Sequence, residues 1–202
     1  MRIRQHVNPN LSFFAEFRGE RPRLRGVPIE VEIGCADAQF LFERAAIDPG
    51  RDYVGLEIRE ELVGIVNRNA AKIGAPVHAV SCHAQHHLEL IFGEAKVDRV
   101  YLNFPDPWFK KKHHDRRMID ATLADGIARV VRPGGDVFVQ SDVWEIALDA
   151  MEVLDRRDDV FENLAGEWTF WRRGNPYGAR SWRETNAEET GLPVWRLMYR
   201  RR

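Results

Sequence analysis

The chain has 202 residues, of which 44% are hydrophobic and 30% are charged, and its formal net charge is −1. This composition is enough for one well-packed domain and argues against a disordered or membrane-embedded protein. Cys35 and Cys82 offer neither a disulfide framework nor paired metal-ligand spacing, which is typical of a reducing compartment.

The first 27 residues are predicted to form an irregular, partly mobile arm. They mix charged residues, glycine and proline with few apolar positions, and they lack the continuous apolar run of a signal peptide. No stretch of the chain approaches the length and apolarity of a membrane span. We therefore expect an arm at 1–27, one domain at 28–202, and a cytoplasmic location.

From residue 28 onwards, short apolar runs alternate with helical patterns. This alternation predicts an α/β fold with a doubly wound, mostly parallel sheet and helices on both faces. Two later strands, Trp168–Trp171 and Val194–Tyr199, are predicted to pair antiparallel at one edge around an irregular segment at 172–191. The earlier predicted strands are Ile29–Ile33, Tyr53–Ile58, Val77–Ser81, Val97–Asn103 and Val137–Ser141, and the predicted helices are Ala38–Ala46, Glu60–Ile73, Gln85–Phe92, 116–131 and Val143–Leu154.

The turn after the first predicted strand is a candidate cofactor site. Gly34 lets the backbone approach a ligand closely, whereas Ala36 and Ala38 stand where a dinucleotide fingerprint has further glycines. Glu57 ends the second strand, where a carboxylate accepts hydrogen bonds from both hydroxyls of a ribose. Glu32 could hold the ammonium group of an amino-acid moiety. An adenosine joined to an amino acid without phosphate is S-adenosylmethionine, which is the predicted cofactor.

Residues 101–117 combine an apolar strand end, a loop with two prolines and a run of cationic side chains. Pro105 and Pro107 fix their own φ and disfavour helix in the residues before them, so we expect an extended loop that presents Asp106 and Trp108. Phosphate is the natural ligand of the cations that follow. These cations are Lys110, Lys111, Lys112, Arg116 and Arg117.

With these residues, the chain resembles the bacterial tRNA guanine-N7 methyltransferases over nearly its whole length. The resemblance implies a Rossmann-like class I fold and the transfer of a methyl group from S-adenosylmethionine to N7 of a guanosine in the variable loop of tRNA. It leaves open whether the protein is a monomer or a homodimer. The matching segments are the Glu-Ile-Gly turn, Gly55-Leu56-Glu57, Ser141-Asp142, the terminal strand at 194–199 and, above all, the motif from Asn103 to Trp108 followed by Lys110, His113, Arg116 and Arg117.

The resemblance also implies roles for individual residues. Asp106 would be the principal catalytic carboxylate, either stabilising the cationic purine or accepting hydrogen bonds from guanine. Trp108 would either stack on the base or pack under the loop. Implied cofactor contacts are Glu32, Gly34, Glu57 and, where the family has an acidic residue near adenine, His83 and Ala84. Implied substrate contacts are Trp108, Lys110, Asp142, Ser181 and Glu184, with Ser181 in place of the family's threonine.

Several other functions remain open from the sequence. The chain could methylate a small molecule or an exocyclic amine of DNA, or it could be an inactive RNA-binding relative. A nicotinamide oxidoreductase is disfavoured by the alanines in the first turn. A metal cluster is disfavoured because no second set of matched spacing accompanies the only candidate ligands. Those ligands are Cys82, His83, His86 and His87.

Overall fold

The computed structural model describes residues 16–106 and 118–202, which form one seven-stranded sheet with helices on both faces. Within these ranges, no helix is long and apolar enough to cross a membrane. The strands are β1 (Ile29–Ile33), β2 (Asp52–Glu57), β3 (Val77–Ser81), β4 (Val97–Asn103), β5 (Val131–Ser141), β6 (Phe161–Asn163) and β7 (Trp195–Arg201). The helices are α1 (Gln39–Ile47), α2 (Glu60–Ile73), α3 (Ala84–Phe92), α4 (Ala121–Val130), α5 (Trp144–Asp155) and α6 (Trp182–Glu189).

The strands lie in the order β3-β2-β1-β4-β5-β7-β6. Strands β1 to β5 pair in parallel, whereas β7 pairs antiparallel with both β5 and β6. This confirms the predicted doubly wound sheet with an antiparallel edge. The order reverses between β1 and β4, and ligands of such sheets bind beside that switch point, at the carboxyl ends of the strands.

Alternate residues of each strand face two separate cores. On the first face, Val31 and Ile33 pack with side chains of α3, α4 and α5. On the second face, Tyr101 and Phe138 pack with side chains of α1 and α2 and with Tyr177. Both faces are therefore covered, as a parallel sheet requires.

The second face carries three rows of side chains across neighbouring strands. A polar lower row lies towards the amino ends of the parallel strands, an apolar middle row follows, and a polar upper row lies towards their carboxyl ends. The lower row is Glu30, Arg99, Asp136 and Arg200; the middle row is Tyr101, Phe138 and Met198; the upper row is Glu32, Asn103, Gln140 and Arg196.

Two predictions near the second edge of the sheet were wrong. The segment 168–171 is not a strand: the edge strand is β6, and Trp168 has a φ of 53°, which a strand does not accommodate. The segment 172–191 is not wholly irregular, because it contains α6. This helix is polar over most of its surface, so its hydrophobic periodicity is weak, and it begins where Ser181 accepts a hydrogen bond from the Glu184 amide.

Residues 16–27 contain neither helix nor strand, yet they contact helix α3 and the sheet. The ring of Phe17 lies 5.4 Å from that of His87, centroid to centroid. Arg25 donates hydrogen bonds to the carboxylate of Asp52 from its backbone amide and its Nε, at 2.7 and 2.6 Å. This part of the predicted arm is thereby attached to the sheet, and residues 1–15 lie outside the described ranges.

Candidate functional site

The turn between β1 and α1 holds an unusual backbone. Gly34, Ala36 and Ala38 all have positive φ, at 76°, 49° and 58°. The left-handed conformation costs about 1–2 kcal/mol for an alanine. The backbone of the turn nevertheless has the conformation typical of glycines at Ala36 and Ala38. The Gly34 amide donates to the carbonyl of Leu56 at 2.8 Å, which fixes the turn against the end of β2. Strain of this kind is concentrated at ligand sites.

Glu32 lies just below this turn and is only 3% exposed. Its Oε1 accepts a hydrogen bond from Asn103 Nδ2 at 2.7 Å, whereas its Oε2 is buried and has no partner among the described residues. Burial raises the pKa of Glu32 to about 8, and the negative charges of Asp37 and Glu57 add to this effect. A buried carboxylate with an unused oxygen is stabilised when it binds a proton or a cationic ligand.

Glu57 ends β2 and is also buried, but its carboxylate is occupied. Arg59 Nε donates to Oε1 at 2.9 Å and Arg59 NH2 to Oε2 at 2.8 Å, while the Ala36 amide donates to Oε2 at 3.0 Å. The bond to Glu57 raises the pKa of Arg59, with a smaller contribution from Asp106, so the guanidinium lies near both carboxylates. Ligand hydroxyls can reach Glu57 only when Arg59 releases an oxygen.

His83 and Ala84 lie at the carboxyl end of β3, next to Glu57. The Cys82 amide donates to the Glu57 carbonyl at 3.1 Å, which holds the two strand ends together. His83 is buried, and its ring stacks on that of His86 at a centroid distance of 4.8 Å. In the described part of the chain, no three His, Cys, Asp or Glu residues are arranged to hold a metal ion.

The loop after β4 brings Asp106 to the switch point. The Phe104 amide donates to the Gln140 carbonyl at 2.8 Å, and Phe104 has a φ of 52°. The loop therefore turns left-handed before Pro105 and is not extended there, contrary to the sequence-based expectation. Asp106 lines a narrow cleft together with Met118 and Ile146.

Trp108, Lys110 and the rest of 107–117 lie outside the described residues. The residues that flank this segment are both placed at the switch point. Asp106 precedes it, and Met118 follows it with its side chain against Gly34. Gln85 Nε2 donates to the Met118 carbonyl at 3.3 Å, which ties the return of the chain to α3.

The predicted substrate residues Asp142, Ser181 and Glu184 meet around the start of α6. Asp142 Oδ2 accepts a hydrogen bond from Arg183 NH2, and Ser181 caps the helix. Glu184 is 0% exposed, and its carboxylate binds Gln140 and Asn175, among other partners. The carboxylate of Glu184 thus has its observed contacts within the protein, and its contact with the substrate stays a prediction.

An aromatic cluster of Trp144, Phe170 and Trp195 continues the site beyond Asp142. The ring centroids are 4.4 Å apart for Trp144 and Trp195, and 5.2 and 5.3 Å from each of these to Phe170. Trp144 is 42% exposed. The neighbouring Arg172 and Arg173 are exposed, and the described residues place no carboxylate within ion-pair distance of either.

Sequence reasoning missed Asn103 as a site residue apart from its place in the motif, and it missed Gln140, Arg59 and the aromatic cluster altogether. The available signal for Asn103 and Gln140 was their polarity at the end of otherwise apolar strands, because a buried amide requires specific partners. The aromatic cluster joins side chains from three separate segments, so no periodic pattern in the sequence indicates it.

Comparison with known proteins gives a consistent family. A family model described as a putative methyltransferase matches residues 27–197. A relative from Synechococcus sp. (strain WH7803), named tRNA (guanine-N(7)-)-methyltransferase, is 38% identical over 209 residues that cover 98% of this chain and 87% of the relative. A relative of the same name from Nostoc sp. (strain PCC 7120 / SAG 25.82 / UTEX 2576) is 33% identical, covering 100% of this chain and 94% of its own.

Solved structures share the fold at low sequence identity. TrmN from Thermus thermophilus superposes with a TM-score of 0.60 at 16% identity, covering 88% of this chain and 44% of that one. The aminoglycoside resistance methyltransferase NpmB1 gives 0.55 at 18% identity, covering 87% of each chain. The architecture is that of the class I S-adenosylmethionine-dependent methyltransferases.

Proposed function

This chain belongs to the tRNA (guanine-N(7)-)-methyltransferase family, and on that premise we propose that it transfers a methyl group from S-adenosylmethionine to N7 of a guanosine in tRNA. One observation carries the proposal from the chain's own geometry. A buried carboxylate with an unused oxygen, a second carboxylate and a strained small-residue turn meet at the switch point, with Asp106 in the loop that follows the adjoining strand β4.

The residues present fit this cofactor. The unused oxygen of Glu32 suits an ammonium group, and Glu57 suits the two hydroxyls of a ribose once Arg59 moves. His83 and Ala84, beside Glu57, would then lie on the adenine side. A dinucleotide fits less well, because Ala36 and Ala38 narrow the turn that the pyrophosphate would have to approach.

When bound, S-adenosylmethionine supplies an electrophilic methyl carbon. Guanine N7 has an in-plane lone pair, so the protein needs no general base and its main task is to hold the nitrogen in line with that carbon. Methylation makes the purine cationic, so a carboxylate beside the base stabilises the transition state more than the ground state. We assign this role to Asp106, which can also accept hydrogen bonds from guanine N1–H and the exocyclic amine.

The proposed RNA surface runs from Asp142 over the aromatic cluster. The exposed faces of Trp144 and its neighbours suit unstacked bases, and Arg172 and Arg173 suit phosphates. Lys110 and the other cations of 107–117 would add phosphate contacts, and Trp108 would contact the base. We propose the variable-loop guanosine as the acceptor and the cytoplasm as the location.

Radioactive cofactor and bulk unmodified tRNA test the proposal directly. We expect the label on a single guanosine, at N7, after digestion of the RNA and mapping of the labelled nucleotide. We further expect Asp106→Ala to lower the methylation rate by about a hundredfold or more, with the dissociation constant of S-adenosylhomocysteine changed less than about threefold. Label on another base or on a small molecule would contradict the proposed substrate, and equal loss of binding would contradict the role of Asp106.

A further inference from the structure

We propose that the side-chain amides of Asn103 and Gln140 form a bridge that positions Glu32 for the amino-acid end of the cofactor and joins it to α6. The inference rests on the proposed function, because it concerns how the same site binds S-adenosylmethionine. It makes Asn103 and Gln140 positioning residues, and it gives Glu184 a role through them.

The bridge begins at Gln140, which is 0% exposed. Its Nε2 donates to Asn103 Oδ1 at 2.9 Å and to Glu184 Oε2 at 2.8 Å, and its Oε1 accepts from Arg196 Nε at 3.1 Å. A primary amide has two N–H donors, and here both are used on oxygen acceptors. The opposite orientation would set oxygen against oxygen twice and nitrogen against a guanidinium, so the amide of Gln140 has one allowed orientation.

That orientation determines the orientation of Asn103. Since Asn103 Oδ1 accepts from Gln140, its Nδ2 points away, and it donates to Glu32 Oε1 at 2.7 Å. Glu32 is held by one oxygen, and the other oxygen is left for a ligand. The bridge therefore decides which oxygen of Glu32 the cofactor meets and fixes its position before the cofactor arrives.

The other end of the bridge lies on α6. Glu184 Oε1 accepts from Arg196 NH2 at 2.9 Å, and both of its oxygens accept from Asn175 Nδ2. The preceding residue, Arg183, donates to Asp142 on the proposed RNA side of the site. One helix thus carries both the end of the bridge and a contact on the substrate side, so any shift of α6 reaches Glu32 through two buried amides.

The charges around Glu32 allow the effect of the bridge to be measured through the pH dependence of ligand binding. Asp37 and Glu57 are negative and Cys35 is a buried thiol. Within residues 16–106 and 118–202, the hydrogen bond from Asn103 is therefore what lowers the pKa of Glu32, against burial and the two acids. Glu184, at the far end, is paired with Arg196. Removing the bridge should therefore leave Glu32 protonated up to a higher pH, which delays the binding of an ammonium group.

The test measures binding of S-adenosylhomocysteine by calorimetry between pH 6 and 9. We expect Gln140→Met and Asn103→Ala each to weaken binding about tenfold at pH 7, the usual loss for a hydrogen bond to a charged group, and to move the midpoint of the pH dependence upwards. Binding of 5′-methylthioadenosine, which lacks the amino-acid end, should change little. Phe138→Leu, on the same strand and face one pleat below, is the control: it should lower stability without moving that midpoint.

The outcomes separate the two proposals. If the wild-type protein binds neither ligand, the proposed function fails. If the wild type binds and the folded variants keep its affinity and pH midpoint, or if they lose both ligands equally, the bridge is overturned. Should Gln140→Met fail to fold in a thermal melt, Asn103→Ala carries the same test from the less buried end.

Discussion

Glu30 and Glu32 lie two residues apart on β1, face the same side of the sheet and are both buried, yet their surroundings differ completely. The carboxylate of Glu30 accepts from Arg44 Nε and NH2 at 3.1 Å each, from Arg99 NH1 at 2.7 Å and from the Tyr101 hydroxyl at 2.7 Å. Glu32 accepts one amide hydrogen bond and has one oxygen without a described partner.

This contrast separates stability from function within one strand. Glu30, in the lower row, joins α1, β1 and β4, because both oxygens of its carboxylate accept hydrogen bonds from side chains of α1 and β4. Glu32, in the upper row, has a buried oxygen without a hydrogen-bond partner among the described residues, which makes its charged form costly in the folded protein. Burial of a carboxylate therefore does not reveal its role, whereas the number and charge of its partners does.

The largest effect is expected from Glu30→Gln. The substitution leaves the buried guanidinium of Arg44 without its carboxylate, so the free energy of unfolding should fall by about 3–5 kcal/mol, as when one partner of a buried ion pair is removed. Urea denaturation at pH 7 measures this change. A fall of less than about 1 kcal/mol would mean that the lower row is not the stabilising one.

Glu32→Gln makes the same change as Glu30→Gln at the position two residues later on β1. We expect binding of S-adenosylhomocysteine to weaken at least about tenfold, because the ammonium group loses a charged partner, while the free energy of unfolding changes by less than about 1 kcal/mol at pH 6. Calorimetry and urea denaturation check the two parts. Destabilisation as large as that of Glu30→Gln would erase the contrast between the two rows.

The pH dependence of stability should show the same difference. The pKa of Glu32 is raised in the folded protein to about 8 from an ordinary 4.5, so the folded state holds a proton that the unfolded state releases. The stability of the wild type relative to Glu32→Gln should accordingly fall as the pH rises from about 5 to about 8 and be level on either side. Paired urea titrations across this range measure the difference, and a flat difference would refute the assignment.

The smallest effect is expected in the turn above Glu32. Ala36→Gly removes the cost of a left-handed alanine and should raise the free energy of unfolding by about 1 kcal/mol or less. Ala71→Gly, at an exposed position in the last turn of α2, is the control and should lower it by up to about 0.5–1 kcal/mol. Thermal melts of both variants compare the two signs. The same sign for both would show that the turn is not strained.

Elements with strong periodicity were predicted from the sequence with their observed bounds. The strands Ile29–Ile33 and Val97–Asn103 and the helix Glu60–Ile73 are confirmed, because each has clear alternation or a clear apolar face ended by a glycine or a turn. The helix α6 and the strand β6 were not predicted, since one is mostly polar and the other has three residues.

The candidate site was predictable only in part. Carboxylates at strand ends can be recognised from their spacing in the sequence. The structure brings Glu32, Glu57 and Asp106 together at the carboxyl ends of the parallel strands, as expected for such a sheet. The bridge from Glu32 to Glu184 could not be found this way. Its members come from four distant segments, and only the sheet order and the register of β4, β5 and β7 bring them into contact.

The insertion of β7 between β5 and β6 has a consequence for biosynthesis. Gln140 and Asp136 lie on β5. Their partners Arg196 and Arg200 lie on β7, which is synthesised later. A nascent chain that ends before β7 therefore lacks the arginine partners of Gln140 and Asp136. The same strand supplies the last member of both the upper and the lower row when it pairs with β5.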